Sequence, residues 1–586
     1  MYTARNPASA LRISTFAAIV TMVGAIAVVA AFSGDRARES GMALPIVTSI
    51  SQITHDGVTK TNLLTDDSRL YVTEWPAARY VIAEFSLQGL DRQIIPSPFS
   101  NLQAIDLSPD HTKLLVSSAR SGSSDQEFWT LPVTTGSPVR VGNFTGRDAT
   151  WSADGQHLVF GKGPVLYVAS PTGTQVHKLF TASSTVFAPR FSPDGQRIRF
   201  TVGDVEQDTT VLWEIGRDGS NPHALLTHWQ SGLAACCGRW AADGRYYIFQ
   251  VTQSDPMTVT TLWALPDSGR TADESTSLPI QLTSGPMSFG NALSARDNKT
   301  IWAIGVQPAG EAVKYDLDKK EFVALVSGIS ATDLDFTSDG KWVAYVAIPE
   351  STLWRCRADG TERRQLTSAP EHAALPHWSP DGKRIAYARR EPGKPWRISV
   401  IPADGGTPQD ILVESRSQVD ANWSSDGTRI MFGYSRYAEG VNIQMVDLTT
   451  HKTETVPGSD GLYSPRWSPD GRYIAALSTD LTRVMLFDFK SQKWSNWLTT
   501  PAGVMNYPVW SPDSQYLYYD DLVTGEEAIR RVKVGESQAE RVFVVEGIER
   551  YPGPFGLWSS LTADGSSMFV RDQSTQEVYR LSVKLP

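Results

Sequence analysis

Side chains able to do chemistry are thinly scattered along this sequence. Its nine histidines (55, 111, 157, 177, 223, 228, 372, 377 and 451) show no His-x-x-x-His spacing, and no cysteine pairing suits zinc. Asp333, Asp335, Asp339 and Gly340 have the residue types of a calcium loop, but not the offsets of an EF-hand. A serine nucleophile on a strand-to-helix elbow needs Gly-x-Ser-x-Gly, which does not occur. Gly285-Pro-Met-Ser288-Phe-Gly290 comes nearest, with the wrong spacing. No glycine-rich phosphate loop is present. The sequence therefore predicts no metal, no cofactor and no enzyme. Cys236-Cys237 is the unusual covalent feature. Adjacent cysteines either close a strained ring disulfide or remain two reduced thiols packed as small apolar groups, and the second is the preferred reading. Cys356 has no obvious partner.

Aspartate is the commonest reactive side chain in a recurring setting, and that setting is a turn. An aromatic residue or Leu, then Ser or a small residue, a variable position, then Asp-Gly recurs at Trp151, Phe191, Trp240, Phe336, Trp378, Trp423, Trp467 and Trp510. Degenerate copies start at Leu64, Leu107, Leu293 and Leu561. The intervals run from 40 to 53 residues, the period of a four-stranded propeller blade. In Trp378-Ser-Pro-Asp-Gly382, Pro380 sets φ, Asp381 bonds its own backbone and Gly382 takes a positive φ. Period-two alternation on either side marks strands. Recurring turn aspartates are structural, not catalytic.

Twelve blades exceed the usual four to eight of one ring, so two rings of six are expected, with an unequal split such as five and seven as the competing arrangement. A spare strand at 49–54 would complete the sixth blade and strand 320–326 the twelfth. The last unit is expected to stop after its third strand, 578–583. The predicted organisation is a tail (1–12), a membrane-spanning segment (13–32), a linker (33–43), one propeller (44–318) and a second (319–586). The fold class is all-β: tandem propellers of four-stranded antiparallel blades behind one N-terminal transmembrane helix.

The Trp-Ser-Pro-Asp-Gly units, each followed by an Ile-Ala-Tyr-like and an Arg-Gln-Leu-Thr-like strand, resemble TolB-type propeller repeats, the PD40 class of WD40-like propellers. The resemblance covers roughly residues 44–586 and is closest to large bacterial proteins in which a membrane helix precedes tandem repeats. It implies a protein-binding propeller of the cell envelope. The same repeats precede the catalytic domains of prolyl-oligopeptidase-like and tricorn-like peptidases, and with the last blade reaching Pro586 a serine hydrolase is not expected.

A propeller channel is lined by the innermost strand of each blade, the strand that runs into the motif aromatic. Residues one and three positions before that aromatic are expected to share the face opposite to it. This reasoning selects Arg190, Arg239, Asp333, Asp335, His377, Asp420, Asn422 and Arg466 as partner-binding candidates. Water-filled salt bridges holding the channel open are the competing role. The expected function is a non-enzymatic, membrane-anchored scaffold that binds an envelope protein, peptide or glycan. The alternatives are a sensory module with its output on another polypeptide, or a channel-centred lyase or peptidase-accessory protein.

Composition sets the remaining bounds. With 54 Lys and Arg against 63 Asp and Glu, the net charge of -9 argues against nucleic acid. Three cysteines exclude a disulfide-built scaffold. The uncharged run Ile13–Phe32 is long enough to cross a hydrocarbon core of about 30 Å. A bacterial inner-membrane anchor with the propellers in the periplasm is expected, a cleaved signal peptide being the alternative.

Overall fold

The computed structural model describes residues 44–586 apart from 76–79, 119–125, 205–208, 254–258, 268–277, 501–504, 523–526 and several stretches of one to three residues. The tail, the apolar run 13–32 and the linker 33–43 lie outside the described residues. Every regular element described is a β-strand. Among the described residues no helix is long and apolar enough to cross a membrane.

The repeat turn explains why the strands start where they do. The Ser379 hydroxyl donates to Asp381 (2.6 Å), and the Lys383 N–H donates to the same carboxylate (3.1 Å). The Arg384 N–H donates to Ser379 Oγ (3.0 Å), and Gly382 sits at φ +67°. The same Ser/Thr–Asp pairing recurs at Ser108–Asp110, Ser152–Asp154, Ser192–Asp194, Thr337–Asp339, Ser424–Asp426, Ser468–Asp470 and Ser511–Asp513. The Ser424 hydroxyl, then the Thr428 N–H, draw the Asp426 carboxyl down to about 2. These aspartates are fully engaged in holding hairpins.

Among the described residues twelve four-stranded antiparallel sheets result, together with one two-stranded hairpin. They are numbered here by the chain order of their innermost strands. The first sheet runs over 60–94, the second 102–146, the third 148–181, the fourth 186–224 and the fifth 233–281. The seventh to eleventh run over 331–365, 372–410, 418–455, 462–499 and 505–544. Their faces are apolar and pack on one another. Ile385, Tyr387 and Ile401 of the eighth sheet meet Ala344, Val346 and Leu353 of the seventh. Phe144 stacks on Phe160 (4.2 Å between centroids) where the second sheet meets the third. A fully buried side chain of this size stabilises by about 1.5–3 kcal/mol.

The innermost strands also touch in order. Lys60–Thr65 lies beside Leu102–Leu107, and contact passes through Asp148–Trp151, Val186–Phe191, Leu233–Trp240 and Ser288–Ser294 back to Lys60–Thr65. A second series passes from Ala331–Phe336 through His372–Trp378, Gln418–Trp423, Leu462–Trp467, Met505–Trp510 and Ser559–Leu561 back to Ala331–Phe336.

The sixth and twelfth sheets exchange strands. The sixth combines Ser288–Ser294 and Thr300–Gln307 with Thr575–Lys584 and Ile46–Gln52. The twelfth combines Ser559–Leu561 and Ser567–Asp572 with Gly310–Asp316 and Glu321–Ala324. The outer strands are those expected from the sequence. The third strands are not: 578–583 leaves the last unit and pairs with Thr300–Gln307 in the register Ile301↔Leu581. An alternating pattern specifies a strand but not its partner, so the sequence places 578–583 in its nearest unit. The two crossing segments are bonded to each other, Gln573 N–H to the Ala309 carbonyl at 2.8 Å and Ala309 N–H to Ser574 Oγ at 3.0 Å. At the far edge, fully buried Lys60 pairs with Asp56 and with Glu577 (3.1 Å), and Thr54 Oγ1 donates to Glu577 (2.5 Å). The first and last described strands, Ile46–Gln52 and Thr575–Lys584, are thereby tied into the sixth sheet.

Candidate functional site

The innermost strands do not follow the simple alternation used to choose site residues. Ten of the twelve described innermost strands carry a bulge ahead of the motif residue, as between Thr332 and Asp335 or Val419 and Asn422, whereas Asp148–Trp151 and Ser559–Leu561 pair without one. The residue three positions before the aromatic lies at positive φ: Ala188 50°, Cys237 58°, Asp333 53°, Leu375 47°, Asp420 59°, Ser464 51° and Tyr507 44°. A bulge inserts one unpaired residue and bends the strand. The residues one and three before the aromatic therefore do not simply share a face, which corrects the phase argument. The bulged backbone reaches sideways instead. The Leu375 N–H donates to Asp333 Oδ2 of the preceding sheet at 3.0 Å.

Residues one position before the aromatic split into two groups. Asp106, Asp335 and Asn422 accept the backbone N–H of the next sheet's aromatic, Trp151 (3.0 Å), Trp378 (2.7 Å) and Trp467 (2.7 Å). The Trp378 indole N–H returns to the Asp335 carbonyl (3.1 Å), and Trp423 and Trp510 bond the carbonyls of His377 and Arg466 in the same way. Asp335 and Asn422 thus fasten one sheet to the next. Arg190, Arg239 and His377 have no such duty for their side chains.

In the N-terminal sheets the innermost strands and turns surround a cavity of about 710 Å³. Arg190 and Arg239 line it, with Asp106, Trp151, Phe191 and Trp240. Arg190 stands 3.8 Å from Asp148 and Arg239 3.7 Å from Asp106, both longer than a hydrogen bond. Arg190 Nη1 donates to the Pro189 carbonyl (2.6 Å), and its buried Nε has no hydrogen-bond partner among the described residues. Burial, then the neighbouring charge of Arg190, pulls the Arg239 guanidinium down to about 10. Burial pushes the Asp148 carboxyl up, against the attraction of both arginines. At the rim Arg296 pairs with Asp67 (3.1 Å) and contacts His111 Nε2 (3.2 Å). The rim residues sit in turns and the sequence reasoning did not select them.

The C-terminal sheets arrange the same positions differently. Arg466 donates to Asp420 at 2.9 Å and to the Pro465 carbonyl at 3.0 Å, and both charged side chains are buried. His377 Nδ1 lies 3.9 Å from Asp335, and its Nε2 has no hydrogen-bond partner among the described residues. Burial pushes Asp335 up to about 7 against the Trp378 N–H, and burial with the Arg466 charge pushes His377 down to about 4. Each of these two side chains nevertheless keeps 24% of its surface accessible, so both are walled in by protein but border open space.

A hairpin packs against these innermost strands, formed by Pro552–Gly553 and Gly556–Leu557 between buried Tyr551 and Trp558. Phe555 at its tip lies 5.3 Å from Trp396 of the eighth sheet. Tyr551, Phe555 and Trp558 join one apolar cluster with Leu375, Val419 and Tyr507. The hairpin root is fixed by a buried pair, Arg550 to Asp520 at 2.8 Å, with Ser559 Oγ donating to Asp520 at 2.6 Å. The long interval from Trp510 to Leu561 was the sequence signal for this insertion.

Cys236 and Cys237 lie in the bulge of Leu233–Trp240, joined as a vicinal disulfide, with Cys237 N–H donating to Thr201 Oγ1 (3.3 Å). The preferred sequence reading had them as reduced thiols. The positive φ at Cys237 is the local feature that turns the second thiol back to the first. Cys356 is buried in the seventh sheet, where burial pushes its thiol up to about 11.

No family model matches the chain. It is 26% identical to tricorn protease homolog 1 of Streptomyces coelicolor over 276 residues, 44% of this chain and 24% of that protein. It is 24% identical to dipeptidyl-peptidase 5 of Porphyromonas gingivalis over 365 residues, 58% of this chain and 45% of that protein. The chain thus spans less than half the length of these two relatives. The TolB structure from Acinetobacter baumannii matches 50% of this chain and 81% of that one, at 16% identity and a TM-score of 0.33. The twelve repeat turns and the four-stranded antiparallel sheets they connect define a β-propeller repeat architecture. The recurring Trp-Ser-Pro-Asp-Gly turns and their four-stranded sheets resemble TolB-type propeller repeats. The peptidase names of its relatives overturn the expectation of a non-enzymatic scaffold and redirect the functional reading to peptide hydrolysis.

Proposed function

We propose that the chain serves peptide hydrolysis as a peptidase-accessory propeller protein, admitting extended peptide to the space enclosed by its N-terminal sheets. In this reading the two closed series of strand contacts are two six-bladed rings. The chain passes between them at 308–309 and again at 573–574, and run 13–32 anchors it in a membrane. The observation that carries the functional reading is the open cavity of about 710 Å³, a volume that suits a short peptide segment and is far too small for a folded domain. Small-molecule and peptide sites commonly fall in the range of about 300–1,000 Å³. The peptidase relatives supply the reaction class.

The test incubates the full chain with a defined mixture of unstructured peptides of eight to twelve residues. Binding is followed by calorimetry and peptide-bond cleavage by mass spectrometry. The reading expects unstructured peptides to bind or be cut while a folded protein containing the same segments is ignored. Neither binding nor cleavage of any peptide would overturn it.

A further inference from the structure

The N-terminal cavity contains an arrangement of charge that the fold itself does not need. Arg190 and Arg239 stand on neighbouring innermost strands, each one position before an aromatic, and both face the same cavity. At the equivalent positions Asp106, Asp335 and Asn422 fasten the next sheet, whereas neither guanidinium bonds a neighbouring aromatic's backbone.

Their acceptors are few and already engaged. Asp106 Oδ2 accepts the Thr150 hydroxyl at 2.6 Å and the Trp151 N–H at 3.0 Å, leaving Arg239 at 3.7 Å from the other oxygen. Arg190 and Asp148 are 3.8 Å apart. Each guanidinium carries five N–H donors in a fork that fits a planar oxyanion. Nε of Arg190 has no protein acceptor among the described residues, and Arg239 reaches the Ile105 carbonyl only at 3.5 Å. With both carboxylates beyond hydrogen-bond distance and guanidinium N–H groups left over on the same cavity wall, the pair can take a further planar oxyanion. The C-terminal sheets provide the contrast, since Arg466 is neutralised by Asp420 at 2.9 Å.

We infer that Arg190 and Arg239 form a carboxylate-binding site that receives an acidic group of a peptide held in the N-terminal cavity. The inference rests on the peptide reading above and specifies which end or side chain of the peptide is recognised. A carboxylate can come from the peptide's C-terminus or from an Asp or Glu side chain. The shared chemistry is a planar oxyanion bridging two guanidinium forks.

The experiment measures calorimetric affinity of the full chain for three forms of one unstructured peptide. These are the free acid lacking Asp and Glu, its C-terminal amide, and the amide with one Glu inserted. The free acid is expected to bind at least about tenfold more tightly than the amide, the effect of losing a charge-assisted hydrogen-bond pair. If the inserted Glu restores affinity, a side-chain carboxylate also occupies the site. Arg190→Gln and Arg239→Gln are expected to abolish the preference, and Arg239→Lys to retain part of it if the glutamine variants do not fold. Equal binding of acid and amide would overturn the carboxylate site while leaving peptide entry standing. Should no peptide bind, titration with glutarate decides separately. Glutarate binding that is lost in Arg190→Gln keeps the anion site without the peptide reading, and no glutarate binding overturns both.

Discussion

The N-terminal and C-terminal sheets are built from the same repeat turn and the same bulged innermost strand, yet they enclose different interiors. In the N-terminal set Arg190 and Arg239 hold their carboxylates at 3.8 and 3.7 Å around a cavity of about 710 Å³. In the C-terminal set Arg466–Asp420 and Arg550–Asp520 close to 2.9 and 2.8 Å, and the hairpin 552–557 packs on the innermost strands. The frame is fixed by turns and by sheet-to-sheet bonds such as Asp335 to Trp378. What varies is the side chain just before each aromatic and the length of one connection. One repeat turn and one bulged strand can thus enclose an open, charge-lined cavity in one set of sheets and tightly paired charges in the other.

Charge removal should separate the two halves most strongly. Arg466→Ala leaves Asp420 buried without its cation and is expected to cost about 3–5 kcal/mol of stability, measured by denaturant titration. Arg190→Ala, at a longer and somewhat more accessible pair, should cost clearly less than Arg466→Ala in the same titration. Similar losses at both positions would erase the distinction between sealed and open interiors.

The C-terminal space should also show a pH signature. Asp335, at about 7 against an ordinary 3.8, keeps its proton in the folded state over that window, so its contribution falls as pH rises. His377, at about 4 against 6.5, stays neutral in the folded state, so its contribution falls as pH drops through that window. The two slopes oppose each other between pH 4 and 6.5. Asp335→Asn should unmask the histidine, giving stability that rises with pH. His377→Gln should unmask the carboxyl, giving stability that falls toward pH 7. Urea midpoints collected across this range check both signs, and unchanged profiles in both variants would contradict the enclosure of this pair.

The hairpin offers a smaller handle. Phe555→Ala removes a half-buried ring from Trp396 and is expected to cost about 2 kcal/mol, below the about 3–5 kcal/mol of a fully enclosed ring. It should also raise amide exchange in 551–558 without affecting the N-terminal sheets. Faster exchange across both sets would mean that the hairpin supports the whole molecule.

The parts of this arrangement that were legible in the sequence are those encoded locally. Ser379-Pro-Asp-Gly382 specifies its own hairpin, and repetition at intervals of 40 to 53 residues specifies the blade. The outer strand 49–54 was recognisable because Gln52-Ile-Thr54 reads like Gln281-Leu-Thr283, and 320–326 because the strand count leaves the last blade one short. The bulges were not, because the positive φ falls on Asp333, Leu375 and Tyr507, where no glycine announces it. Hence Asp335 and Asn422 were selected for contact with a partner although their side chains hold the neighbouring sheet. The exchange of Gly310–Asp316 with Thr575–Lys584 was equally hidden, since both strands alternate normally and only their long-range pairing distinguishes them.

The central claim is that peptide enters the N-terminal space and is excluded from the C-terminal one. A peptide carrying a photoreactive phenylalanine, crosslinked to the full chain and mapped by mass spectrometry, tests this most directly. The account predicts adducts at the cavity residues 106–111, 150–153 and 239–243. Adducts concentrated at 551–558 or around His377 would contradict it.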